Sequence, residues 1–304
     1  MPGRTLLPER SAQLRHSHQP DCVRRRAVLR DTLAAFVQAE APDHYQRLAA
    51  AKLARWQARA VAANGPLRVE VQAGDWGEVT GAVTARDGHC FAVLNMANAY
   101  VPGGGDVEGL VAQEENMFRR TDCHFSIDDH CFDRARDAYH PAFTELLEAA
   151  DGRVYLDTAR PRVCRRGPEQ RERPDLGYAW LAQPAIFPFY ELRAAATDLR
   201  DGSPFSAPEM RRRIAAQLDT LRAHGLRHAV RGAFGCGAFQ NPAAQVATRY
   251  REEIARRADD FTRIVFAVFH AGYGPDNFQP FAAAFRDFAP IAPWRDVKKA
   301  RISR

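Results

Sequence analysis

VLNMANAYVPGGGDVEGLVAQEENMFRR, residues 93–120, is the stretch on which the reading of this chain turns. It continues an apolar run, Cys90 to Asn95 (CFAVLN), the pattern of a strand buried on both faces. Gly103, Gly104 and Gly105 follow, and seven residues separate them from Gln113, Glu114 and Glu115. Residues without Cβ let a backbone press against a bulky anion. Their N–H groups, with the N-terminus of a helix read over Gly109 to Arg120, can cradle phosphate oxygens. Adjacent carboxylates at a helix start point in different directions and can take separate roles. Burial and a neighbouring like charge raise one of their pKa values toward that of a general acid. A glycine loop beside paired acids fits a site that holds a diphosphate and breaks a bond to a sugar. Taken singly, the triplet also reads as a turn after Pro102, and the acidic pair as a solvated helix face.

A second glycine loop, Gly235-Cys236-Gly237-Ala238-Phe239, also follows a strand and precedes a helix. Two such loops at strand ends suit a diphosphate gripped from both sides. Neither is a GxxxxGK[ST] loop, nor a GxGxxG fingerprint with an acid about 20 residues on, which argues against an NTPase and a nicotinamide dehydrogenase. Asn95 and Asn98, between strand and first loop, offer side chains to vicinal ribose hydroxyls, or simply form a turn. Cys236 has no His or Asp at helpful spacing and reads as a small residue rather than a nucleophile. Cys123-His124 and His130-Cys131 flank Asp128-Asp129 in a spacing that fits no structural zinc class. No metal and no cofactor is expected.

The rest of the chain frames this site. Its 304 residues suffice for one large or two small domains, and no apolar run is long enough to span a membrane. Residues Met1 to Asp21 have no apolar core, so a secretory signal is not expected; six irregularly spaced cysteines without CxxC read as reduced thiols of a cytoplasmic protein. An effector exported without a cleaved signal would share that pattern. The net charge of +6 comes largely from arginine, clustered at Arg24–Arg26, Arg165-Arg166 and Arg211–Arg213. Such clusters steer anionic ligands or line solvated helix faces.

Two helices are read across Arg24 to Ala63, broken at Pro42-Asp43. Strands are read at Leu67–Gln72, Cys90–Asn95, Arg153–Asp157, Ala185–Phe189, His228–Phe234 and Arg263–His270. Helices are read from Pro208 to His224, from Pro242 to about Ala258 and over Phe278–Phe288, with an Arg- and Pro-rich loop from Thr158 to Ala182. Alternating strands and helices argue an α/β sandwich whose ligands sit at the strand C-termini.

Together these residues resemble a known family. Residues 93–120 look like the signature of the bacterial-type poly(ADP-ribose) glycohydrolases, GGG and QEE separated by six to eight residues on a macrodomain fold. RGAFGCGAFQNP (231–242) resembles that family's second phosphate loop, and VEVQAGDWGEVT (69–80) the macrodomain segment whose Asp approaches an adenine. The resemblance spans about Arg24 to Phe288, with Tyr139 to Pro208 poorly matched. It implies a three-layer α/β/α macrodomain-like sandwich with a mixed central sheet: an N-terminal helical extension (1–64), a core (65–290) and a basic tail (291–304). It implies hydrolysis of a ribosyl bond, with Glu115 protonating the leaving oxygen and Glu114 holding ribose hydroxyls, Gln113 completing their motif. Asn98 and Phe239 would meet the distal ribose, Asp75 the adenine, and Gly103–Gly105 with Gly235, Cys236, Gly237 and Ala238 the diphosphate. The implied partner is ADP-ribose or an ADP-ribosylated protein or polymer, without a membrane or direct nucleic-acid binding. Asp106 departs from the family, where an aromatic or apolar residue is commoner, and with Glu114 and Glu115 it suits an arginine-linked mono-ADP-ribosyl substrate. A non-catalytic ADP-ribose reader is the remaining alternative.

Overall fold

The computed structural model describes residues 19–60, 65–270 and 274–288. The tail 291–304 and the first 18 residues, both subjects of sequence expectations, lie outside these. Five parallel strands form the body of the sheet: β1 (Arg68–Ala73), β2 (Ala92–Met96), β7 (Phe187–Ala194), β8 (His228–Arg231) and β9 (Arg263–Val268), in the spatial order β1-β9-β8-β2-β7. Two short strands, β5 (Tyr155–Leu156) and β6 (Arg162–Cys164), pair antiparallel with different parts of β7, so the sheet is mixed. A separate hairpin joins β3 (Phe132–Asp133) to β4 (Ala138–Tyr139).

Both faces of the sheet are covered, as expected for strands that read as continuous apolar runs. On one side α6 (Ala207–Ala223), α7 (Ala243–Ala255) and α8 (Phe278–Phe285) bury Ile214, Tyr250, Phe281 and Phe285 against Leu94, Ile264 and Phe266. On the other, α3 (Trp76–Asp87) and α4 (Gln113–Arg120) bury Trp76, Val83, Met117 and Phe118 against Val93, Phe189, Val230 and Val265. A short helix, α5 (Pro141–Leu147), adds Leu147 to this second core. Burying one such Phe or Leu contributes about 1.5–3 kcal/mol. The N-terminal helices α1 (Pro20–Val37) and α2 (His44–Gln57) pack on α4 and on α3 and β7 respectively. Pro20 opens α1 at a position where its missing N–H costs nothing.

Three sequence expectations are corrected. The helix read from Gly109 starts only at Gln113, because Gly109 is left-handed (φ 80°) and turns the chain. α3 was not anticipated, although Asp75 caps it, Glu78 sits three residues on, and a left-handed Gly88 ends it. The Arg- and Pro-rich segment is not all loop: β6 lies within it, and β7 runs five residues beyond the strand read at Ala185–Phe189. Tertiary pairing, not local preference, makes β6 a strand.

Gly109 also fixes how α1 meets the site loop. A Cβ there would lie 2.2 Å from the Cys22 carbonyl oxygen, and Arg25 Nη1 donates to the Gly109 carbonyl. Gly109→Ala is expected to destabilise the protein by about 2–4 kcal/mol through backbone strain and a displaced α1. Denaturant unfolding of the two proteins measures it.

Candidate active site

The neighbouring parallel strands β2 and β8 end on the same edge of the sheet, and both glycine loops leave from that edge. β2 pairs with β8 only through Ala92 and Val93. Beyond them the Gln113 side chain acts as a substitute strand. Its Nε2 donates to the Leu94 carbonyl at 2.9 Å, and its Oε1 accepts the Met96 N–H at 2.9 Å. This amide ties the first turn of α4 to the sheet and so sets where the next two residues, Glu114 and Glu115, stand.

Each glutamate is held by backbone N–H groups of the loop it faces. Glu114 Oε2 accepts from Asn98 N at 2.7 Å and its Oε1 from Gly103 N at 3.2 Å. Glu115 Oε1 accepts from Gly105 N at 3.1 Å. The Gly104 N–H donates to the Val101 carbonyl. The expectation that these three N–H groups cradle phosphate is therefore corrected: all three are spent within the protein. What the glycines provide is shape. Gly103 and Gly104 are left-handed (φ 76° and 56°), and a Cβ on Gly104 would stand 2.5 Å from Glu115 Oε1.

Burial decides the protonation of the pair. Glu114 is 2% exposed and Glu115 9%. Burial pushes Glu114 well above the ordinary carboxylate range, the adjacent Glu115 charge adds to this, and the Asn98 N–H and Arg193 oppose it. Burial also raises Glu115, against the Gly105 N–H and Arg119. Both shifts favour the protonated form, the direction a general acid requires.

The other expected residues are distributed around this pair. Asn98 uses Oδ1 to accept the N–H groups of Tyr100 and Val101, leaving Nδ2 as the atom able to serve a ligand. Asp106 lies beneath the loop at 1% exposure. Its Oδ1 accepts the Val107 N–H, and its Oδ2 stands 3.7 Å from His124 Nδ1. Its carboxylate packs where a Gly103 Cβ would be, so the loop itself separates it from the open side. Asp75 Oδ1 caps α3 through Gly77 N and Glu78 N and also accepts from Arg120 Nη1 at 2.6 Å. Arg120 lies over the Trp76 ring, 4.8 Å from its centroid.

In the second loop Gly235 is left-handed (φ 73°), and a Cβ on it would lie 2.6 Å from both Ala196 Cβ and Asn241 Nδ2. Asn241 Nδ2 donates to the carbonyls of Thr197 and Gly235, bracing the turn. Gly237 and Ala238 are exposed, and a Cβ on Gly237 would meet nothing. Phe239 is half-buried, with Arg200 5.4 Å from its ring centroid. Burial lifts the Cys236 thiol to about 12, consistent with a small packing residue. Where the two strands end, a Cβ on Gly232 would stand 3.2 Å from Met96 Cε. The strap residue Asn241 and the strand-substituting role of Gln113 were missed in the sequence; a polar side chain flanking a glycine loop was the available signal. No grouping of His, Cys, Asp and Glu able to hold a metal occurs among the described residues.

Comparison with known proteins finds relatives of this fold. Residues 24–147 match the family model of the microbial-type PARG catalytic domain, a match that begins inside α1 and runs past both glutamates. Among solved structures, the poly(ADP-ribose) glycohydrolase of Thermomonospora curvata is 26% identical, with 86% of this chain and 99% of that chain covered and a TM-score of 0.59. The same enzyme bound to the inhibitor ADP-HPD superposes with a TM-score of 0.57 at 26% identity over the same shares of both chains. The Deinococcus radiodurans enzyme in complex with ADP-ribose is 25% identical, with 84% and 97% covered and a TM-score of 0.51. No curated protein matches the chain.

The raised Glu114 pKa has a thermodynamic consequence. A carboxyl whose folded pKa exceeds its unfolded value favours folding fully at pH below the unfolded value, and this contribution is lost as pH rises through the folded one. Glu114→Gln, which stays neutral, is expected to gain stability relative to the wild type as pH rises above about 4.3, by up to about 1.4 kcal/mol per pH unit. Paired denaturation curves from pH 4 to 8 test it; a gap constant with pH would mean the carboxyl is not shifted.

Proposed function

We infer that this chain, a member of the microbial-type poly(ADP-ribose) glycohydrolase family, hydrolyses the ribosyl glycosidic bond of ADP-ribose polymers with Glu115 as general acid. One observation carries this reading: a buried glutamate pair, both of whose pKa values burial raises, is held by a glycine loop at the C-terminal edge of a parallel sheet, from which a second glycine loop also leaves. The solved relatives bound to ADP-ribose and to ADP-HPD support the ligand class.

The roles follow from which oxygens are committed. Glu115 Oε1 receives the Gly105 N–H, so the transferable proton belongs on Oε2. From there it passes to the leaving oxygen as the bond to the anomeric carbon breaks through an oxocarbenium-like state. A water held near the diphosphate attacks that carbon and loses its proton to the Glu115 carboxylate, which restores the acid. Glu114 orients the adjacent ribose hydroxyls, and Asn98 Nδ2 and Phe239 hold the distal ribose. The exposed N–H groups of Gly237 and Ala238, at the open rim of the second loop, serve the diphosphate; Gly103–Gly105 contribute close approach. Cys236 and Gly235 shape the turn. Asp75, through its remaining oxygen, stands beside the adenine.

Polymer is favoured over an arginine-linked substrate because Asp106, the residue assigned to the latter, is sequestered under the loop with His124. The absence of disulfides among the described residues supports a reducing, cytoplasmic setting. No helix among the described residues is long and apolar enough to cross a membrane.

Glu115→Gln is expected to abolish ADP-ribose release and leave ADP-ribose affinity within about tenfold, or roughly 1.4 kcal/mol. Release assays paired with calorimetric binding decide it: persistent release removes Glu115 as the acid, and absence of release by the wild type from every substrate favours a reader. Asp106→Asn is expected to change polymer hydrolysis less than threefold. A severe loss confined to arginine-linked mono-ADP-ribosyl protein would restore the alternative.

A further inference from the structure

Four side chains outside the site form a ladder of alternating rings and cations. Arg165 Cζ lies 4.0 Å from the centroid of the Tyr45 ring on α2 and 4.5 Å from that of Trp180; Arg166 Cζ lies 3.3 Å from the Trp180 centroid. Stacking of this kind satisfies the faces of a guanidinium and leaves its N–H edges to find acceptors. Here most of them find none. Arg165 Nη1 and Arg166 Nε and Nη2 are buried without a hydrogen-bond partner, while Arg166 Nη1 donates to the Tyr178 carbonyl. The Arg166 side chain is 7% exposed, and its one carboxylate neighbour, Asp31, stands 3.9 Å away with 70% of its side chain in solvent. Arg165 has no ion pair among the described residues. Burial lowers both pKa values, that of Arg166 to about 10.

Neighbouring arginines of the same segment behave differently. Arg171 pairs with Glu169, Arg173 with Asp175, and Arg162 with Asp157 and Glu191. Arg165 and Arg166 are thus two adjacent cations, partly stripped of water, with only the solvent-exposed Asp31 near Arg166 as counter-charge, beside a Trp that is 45% exposed. Such an arrangement costs free energy unless an anion visits it.

The backbone places this ladder relative to the acids. Arg165 N donates to the Arg120 carbonyl, Arg120 Nε donates to the Arg166 carbonyl, and Thr121 bridges Cys164. The ladder is therefore fastened to the last turn of α4, whose first turn carries Glu114 and Glu115. Eight helical residues separate the two ends by about 12 Å.

We propose that Arg165 and Arg166, stacked on Trp180 and Tyr45, form a second anion subsite that takes the diphosphate of a neighbouring ADP-ribose unit while the two glycine loops hold the unit being cleaved. This rests on the reading of the chain as a polymer hydrolase and goes beyond it, because the subsite distinguishes polymer from monomer. Paired guanidinium edges suit the fork geometry of phosphate oxygens, and each neutralised phosphate adds to the salt dependence of binding.

The test uses the full chain carrying Glu115→Gln, so that polymer is bound and not consumed, and adds Arg165→Gln or Arg166→Gln. The probes are ADP-ribose, purified poly(ADP-ribose) and single-stranded RNA. The expected result is a five- to tenfold loss of polymer affinity, ADP-ribose affinity within twofold, and a slope of log affinity against log salt that is shallower by roughly 0.7 for each cation removed. Arg165→Lys is expected to keep the slope. Equal losses for polymer and monomer, or unchanged polymer binding, would overturn the subsite. RNA bound as tightly as polymer of equal charge, and equally sensitive to Arg165, would reassign it to nucleic acid. Should Arg166→Gln fail to fold, the half-exposed Arg165 carries the test alone. The hydrolytic reading fails separately, through wild-type turnover.

Discussion

Two carboxylates buried side by side, each accepting backbone N–H groups from a loop that only glycine can form, are the constraint around which the rest of the molecule is arranged. Removing a pair of acids from water is unfavourable unless donors and protons compensate. The loop supplies the donors, and burial raises both pKa values, which favours the protonated form. Chemistry and fold therefore rest on the same contacts. A side chain at Gly104 would displace the acid, and an acid without the loop would be an uncompensated buried charge.

A second buried polar group supports the pair. Glu191, on β7, is fully buried and held at a pKa of about 2 chiefly by Arg193 and Arg162, with Asn95 donating to its Oε1 at 2.9 Å. Arg193 in turn draws Glu114 toward its charged form. On the other flank Arg119, four residues after Glu115, donates to the Tyr178 hydroxyl and the Leu110 carbonyl. Tyr178 passes the connection to Glu169, which holds Arg25 of α1. The N-terminal helix thus belongs to the support of the acid pair, in keeping with a family match that starts within it.

The parallel strands, the helices α6, α7 and α8 and the two loops were legible in the sequence because each has a local cause: apolar runs for buried strands, Pro208 and Gly225 as helix signals, glycines where the chain turns. The glutamate pair was legible as a motif. What escaped reading depends on partners remote in sequence. β6 exists because β7 lies beside it, and Gln113 matters because β2 loses its β8 neighbour past Val93. The hydrogen bonding of the triplet was read toward a ligand and turned out to face inward, since a loop that must position acids spends its donors on them. Asp106 was placed beside the reacting bond by sequence proximity, but the turn at Gly103 folds it underneath.

The Gln113 amide has a mechanical corollary. Because it hydrogen-bonds as though it were another strand of the sheet, the wall bearing the acids is rigidly continuous with the core and cannot tilt without tearing β2. The facing wall is anchored at Asn241, and its rim at Gly237 and Ala238 is exposed, with room for a methyl group on Gly237. The cleft is a vice with one jaw bolted down, so whatever yielding is needed to admit or release a bulky chain falls to the second loop.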